Sequence, residues 1–136
     1  MNYKNTFILV ADDCPVECGV VPVVKAGKSK PIHVIQYELI SEHPYYYTQE
    51  DILFMVYAIR NSISTDDDEA RRVLFKKEHP CLRSSALGKN YGRGFHFDPE
   101  GKVALYARDS SAYAAFSGKQ DASVKIIKAM RNKRIG

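Results

Sequence analysis

The densest chemistry in the sequence lies between Pro80 and His96, where Cys81, two serines, three basic side chains and three glycines sit in a stretch without a single acid. Backbone amides freed by glycine, the hydroxyls of Ser84 and Ser85, and the cations Arg83, Lys89 and Arg93, with Tyr91 among them, are the ingredients of a cradle for phosphate or carboxylate. Lys102 is a further candidate cation. The named phosphate motifs do not fit: a P-loop would need glycine at Arg83 and a hydroxyl at Asn90, and a dinucleotide fingerprint begun at Gly92 meets Phe97 where it needs glycine. The plainer reading is a Gly-rich turn that leads into a hairpin, its basic residues in solvent.

A nucleophilic chemistry is also open. Cys81 with His96 has the residue types of a thiol nucleophile and its base, and Asp98 is placed to orient the imidazole. A second cluster, Asp12-Asp13-Cys14-Pro15-Val16-Glu17-Cys18, gathers three carboxylates and two thiols at a strand end. Its Cys-x-x-x-Cys spacing is neither a zinc knuckle nor a redox pair, so Cys14 reads most simply as a small buried hydrophobe. His33, His43 and His79 show no metal-ligand spacing and receive no role, and neither metal nor cofactor is expected. The candidate catalytic residues are therefore Cys81, Cys14, His96 and Asp13, and the candidate ligand-binding residues Arg83, Lys89, Arg93 and Tyr91.

The elements that must position these groups follow from patterning. Thr6 to Ala11 reads as a strand running into a long connection over residues 12 to 31. A helix begins at Pro31, and Thr48-Gln-Glu-Asp51 has the form of a capping box opening a helix over 49 to 62. That second helix is apolar nearly all round, from Ile52 to Ile59, which predicts a central element that is core rather than site. Tyr45 to Tyr47 should pack as a staple and lid before it. Ser64 or Thr65 is placed to cap a third helix, with an acidic first turn over Asp66 to Glu69 and a basic last turn at Lys76 and Lys77. Phe95 to Asp98 and Lys102 to Ala107, divided by Pro99-Glu-Gly101, predict a hairpin on which His96 points away from Phe95 and Phe97. Ser110 caps a short helix with Tyr113 and Phe116 that ends at Gly118, and Asp121 starts a terminal helix with Val124, Ile127 and Met130 on one face. Strands and helices do not alternate strictly, so the fold class is α+β: one domain over residues 1 to 136, with a central apolar helix, several short helices and a small antiparallel sheet.

With 136 residues, 45% hydrophobic and 26% charged, the composition is that of an ordinary soluble domain, and no apolar run approaches the roughly 18 residues that cross a bilayer. No export signal is read at the N-terminus, and three cysteines are an odd number for a disulfide framework, so the expected location is the cytoplasm. Residues 1 to 70 carry 5 basic and 11 acidic side chains, a balance of −6, and residues 71 to 136 carry 15 and 5, a balance of +10. The two halves either attract each other across the fold or leave the second free for an anionic partner.

Asn5-Thr6-Phe7-Ile8, the Asp13-Cys14-Pro15 turn, Gln36-Tyr37-Glu38, Pro80-Cys81-Leu82-Arg83-Ser84, Gly101-Lys102-Val103-Ala104-Leu105-Tyr106 and Lys128-Ala129-Met130-Arg131 together resemble a family of small, mainly microbial proteins classed as a domain of unknown function. The resemblance runs over nearly the whole chain and implies no activity, so it transfers no catalytic residue. Residues 92 to 116 are also similar to the N-terminal domain of bacterial competence regulators in their Gly-aromatic strand, Gly-Lys turn and Ala-Leu-Tyr strand. The function expected from the residues is a non-enzymatic domain that binds an anionic small molecule or nucleic acid through the basic segment 81–94. The alternative is a thiol-dependent enzyme using Cys81 or Cys14 with His96.

Overall fold

In a computed structural model, which describes residues 2–118 and 122–133, the apolar run after Asn5 forms β1 (Thr6–Leu9). The Pro-Gly turn closes a hairpin of β2 (Arg93–Phe97) and β3 (Val103–Ala107), with Asp98 Oδ1 accepting from the backbone nitrogens of Glu100 and Lys102 to hold the turn. β1 pairs antiparallel with β2, Thr6 opposite Phe97 and Ile8 opposite Phe95. On its other edge β1 pairs parallel with β4 (Lys125–Lys128). The sheet order is β3-β2-β1-β4, and the sheet is mixed rather than antiparallel.

β4 corrects the terminal helix expected from Val124, Ile127 and Met130. The consecutive β-branched pair Ile126-Ile127 suits a strand, and the second edge of β1 offers its backbone a full ladder. The helix start expected at Asp121 lies outside the described residues.

The other elements follow local signals closely. α1 (Ile32–Glu42) starts after Pro31. α2 (Gln49–Arg60) carries the reciprocal capping box, Thr48 Oγ1 accepting from Asp51 N and the Asp51 carboxylate accepting from Thr48 N. α3 (Asp68–Leu74) is capped by Asp67, not by Ser64 or Thr65, and it ends before Lys76. The expected loop over 81–94 is mostly ordered as helix: a 3-10 turn at Leu82–Ser84, then α4 (Ala86–Asn90), capped by Ser85. α5 (Ser111–Ser117) is capped by Ser110.

Alternation along the strands splits the side chains between two layers. Ile8, Phe95, Phe97 and Val103 face α1, α2 and α4, in one core with Ile35, Ile40, Ile52, Leu82 and Leu87. Phe7 and His96 face α5, where Phe116 stacks at 4.7 Å on Phe7 and 4.3 Å on His96. Segment 45–48 runs along the outer edge of β3: Tyr45 N donates to Val103 O and Val103 N to Tyr47 O.

Gly94 lets α5 approach. A Cβ there would stand 2.7 Å from Phe7 Cζ and 2.8 Å from Tyr113 Cε2. Gly94→Ala is expected to destabilise the fold by about 1–3 kcal/mol through overpacking. Urea denaturation checks this, and an unchanged midpoint would show that α5 does not pack closely on this face.

Candidate functional site

Two buried amide side chains, one from each long helix, receive the turn that follows Pro80. Gln49, 1% exposed, accepts from Leu82 N through Oε1 at 2.9 Å, and Gln36, 5% exposed, accepts from Ser85 Oγ at 2.6 Å. From the α3 side, His79 Nε2 donates to Leu74 O at 2.7 Å. These bonds fix the 79–86 segment against α1 and α2 but leave a gap where their side chains do not meet. The gap is a cavity of about 550 Å³, within the range of small-molecule pockets.

Its wall is largely apolar. Leu53, Val56, Tyr57 and Arg60 fall on one stripe of α2 at spacings of three and four, and Ile32, His33 and Gln36 come from α1. The all-round apolar character of α2 therefore serves two surfaces: Ile52, Phe54 and Val56 are buried, while Tyr57 is exposed on the cavity stripe and Leu53 half-buried. This corrects the expectation that the helix is core alone. The polar groups are Gln36, Arg60, Asn61, Ser84, Ser85, Cys81, the Tyr57 phenol and the imidazoles of His33 and His79.

Hydrogen-bond logic orients one of them. Ser85 Oγ accepts from Leu87 N and donates to Gln36 Oε1, so the amide oxygen is the end that faces Ser85. The amide nitrogen is then the end left over. Among the described residues it meets no acceptor, and it is not sealed off, since no buried side-chain polar atom lacks a partner. Gln36 is thus a buried residue of the cavity lining whose amide nitrogen has no hydrogen-bond partner among the described residues. Arg60, exposed on the last turn of α2, has no ion-pair or hydrogen-bond partner among the described residues. Burial holds the His33 imidazole below its ordinary pKa, hence neutral near pH 7, and Tyr91 stacks on it at 4.9 Å.

The structure disperses the other candidates. Cys81 lines the cavity, and its Sγ lies 3.4 Å from Tyr3 Oη. His96 sits on the opposite face of the sheet, Nδ1 at 2.8 Å from Tyr45 Oη, which in turn lies 2.6 Å from Tyr106 Oη. The fold thus separates Cys81 from His96. Cys14 is buried in the core, its Sγ 3.7 Å from Val16 O. Arg83 Nε donates to Lys128 O, fastening the end of β4, and Arg93 Nε donates to Val20 O while its guanidinium lies over Tyr37 at 5.2 Å. Lys89 lies in α4, where its carbonyl accepts from Asn132 Nδ2, and Lys102 Nζ lies 6.0 Å from the Tyr46 ring. Asp13 accepts from the backbone nitrogens of Asn132 and Lys133, and Asp12 pairs with Lys128 at 3.1 Å. Acidic and basic halves meet there. Glycines in the segment serve the backbone: Gly92 has φ +66° and passes against the Cys18 carbonyl.

The first part of the expected anion segment lines a cavity, and the Arg83 and Arg93 side chains each bond to a backbone carbonyl. Gln36, Arg60, His33 and His79 line the same cavity and were not among the residues the sequence singled out as a site. Only the stripe 53, 56, 57, 60 carried a signal, and it was indistinguishable from a core face. Among the described residues no three metal-ligating side chains converge, and no helix is long and apolar enough to cross a membrane.

Residues 1–135 match the model of a family of unknown function, DUF6157, and the chain belongs to that family. No curated protein and no solved structure matches it.

The anchoring by Asp13 is testable through pH. The Asn132 and Lys133 amides hold its carboxyl below the ordinary range. A lowered folded pKa means that the contribution is complete above the ordinary carboxylate value, about 3.9, and is lost as pH falls through the lowered one. Hydrogen exchange at the amides of 132 and 133 should be slow at pH 6 and should lose its protection in acid ahead of the β1–β2 ladder. Asp13→Ala should remove that protection at every pH.

Proposed function

We propose that this member of a family of unknown function binds a small amphiphilic anion, a carboxylate with an apolar body, in the cavity between α1, α2 and segment 79–86. The observation that carries the reading is the Gln36 amide, buried and oriented by Ser85, with its donors left to a ligand. A largely apolar wall suits the body of such a molecule, and a few convergent polar groups suit its head. Arg60 supplies the complementary charge at the exposed side. Three unpaired thiols fit a reducing compartment, of which the cytoplasm is the ordinary one. A nucleic-acid partner finds less support, because Arg83, Arg93 and Lys128 are engaged in holding loops and strand ends.

Octanoate and octanol share a tail and differ in charge, so titration calorimetry with both tests the reading. Octanoate is expected to bind, and octanol at least about tenfold more weakly, since a hydrogen bond to a charged group is worth about 1.5–3 kcal/mol. Gln36→Leu should weaken octanoate by a similar factor. Arg60→Gln, at an exposed site, should cost only a few-fold. Equal affinity for the two probes would overturn the proposal. Absence of octanoate binding together with DNA binding that falls steeply with salt would put nucleic acid in its place.

A further inference from the structure

The three cysteines occupy three different environments. Cys14 is packed in the core, Cys18 is exposed, and Cys81 is half-buried on the wall of the cavity. Among the described residues, Cys81 is the cysteine with a phenol within hydrogen-bond distance of its sulfur, Tyr3 Oη at 3.4 Å. Burial and the neighbouring thiol push the Tyr3 pKa up to about 12, so this phenol stays protonated and can donate to sulfur at any physiological pH. Two imidazoles line the same cavity. His79 carries a proton on Nε2, because the Leu74 carbonyl to which it bonds can only accept, so Nδ1 is the ring nitrogen left to exchange a proton. His33 is neutral through burial.

We propose that Cys81 is a nucleophile toward a small electrophile that also bears a carboxylate, an enone acid being the fitting class, with Gln36 and Arg60 receiving the anionic end. This rests on the cavity being the ligand site. The Gln36 donors are the independent sign of a ligand at the cavity that contains the thiol. In the step, the Cys81 proton passes to an imidazole, and Sγ attacks the β-carbon as the sulfur–carbon bond forms. The π pair of the carbon–carbon double bond moves to the α-carbon, which takes the proton back from the imidazolium. The product is a thioether, and no oxidant or leaving group is needed. Tyr3 is a positioning residue that stabilises the thiolate.

Iodoacetate and iodoacetamide carry the same reactive carbon and differ in charge, and peptide mass spectrometry reads each cysteine of the native protein separately, with Cys18 as the internal reference. Cys81 should be alkylated faster than Cys14, and its iodoacetate-to-iodoacetamide rate ratio should exceed that of Cys18 by about tenfold. Gln36→Leu should return that ratio toward the value for Cys18. Tyr3→Phe should slow both reagents alike and leave their rate ratio at Cys81 unchanged, which a collapse of the cavity would not do. An inert Cys81 in a protein that still binds octanoate overturns this proposal and leaves the cavity reading standing, whereas an inert Cys81 with no octanoate binding overturns both. Rapid alkylation with the same charge ratio as Cys18 also overturns it, because the anion donors then do not serve the thiol.

Discussion

Strand β1 is buried on both faces and paired on both edges, and this double demand organises the molecule. Phe7 and Ile8 are consecutive and fully buried, so they must find apolar partners on opposite sides of the sheet. Ile8 looks into the layer of α1, α2 and α4, while Phe7 is covered by α5 through Phe116 and Tyr113. On the edges, β2 takes one ladder and β4 the other. A strand in this position cannot end the sheet, and the C-terminal segment is drawn alongside it as a parallel partner.

The second consequence is electrostatic. β4 brings Lys128 and Arg131 next to the Asp12-Asp13 pair that follows β1, and the acidic and basic halves of the chain meet at this seam. Asp13 adds backbone bonds to residues 132 and 133, which makes the contact directional rather than a diffuse attraction. Arg83 closes the same corner through the Lys128 carbonyl. Cations that look free along the sequence are in this way fastened to the ends of strands and loops.

The cavity exists because polar bonds, rather than apolar packing alone, set the distance between the helices and segment 79–86. Gln49 and Gln36 hold Leu82 and Ser85 at hydrogen-bond length. Buried amides demand such partners, and their geometry does not yield to collapse as an apolar contact would. The same two bonds that stabilise the turn hold Gln36 on the lining of the space beside it. The reactive groups of the two sheet faces are kept apart by the strands: Cys81 belongs to the cavity, and His96 belongs to the layer of Tyr45, Tyr106 and Phe116.

By itself the sequence determined what is local. The Thr48–Asp51 capping box, the Pro-Gly hairpin, the Ser110 cap and the outward direction of His96 all rest on interactions within a few residues, so they could be read from spacing. The α+β class and the buried Cys14 were also legible, whereas the charge imbalance of the two halves left open whether they meet. Tertiary structure decided the rest. Residues 125–128 satisfy both a helical stripe and a strand, and only the open edge of β1 selects the strand. Along the chain the glycines and cations of 81–94 look like one loop, and tertiary structure puts part of them in α4 and sets Arg83 against the end of β4 and Arg93 over Tyr37. Gln36, Arg60, His79 and Cys81 come from distant stretches of chain, and their convergence depends on how α1 and α2 are set against the sheet, which no spacing along the chain encodes.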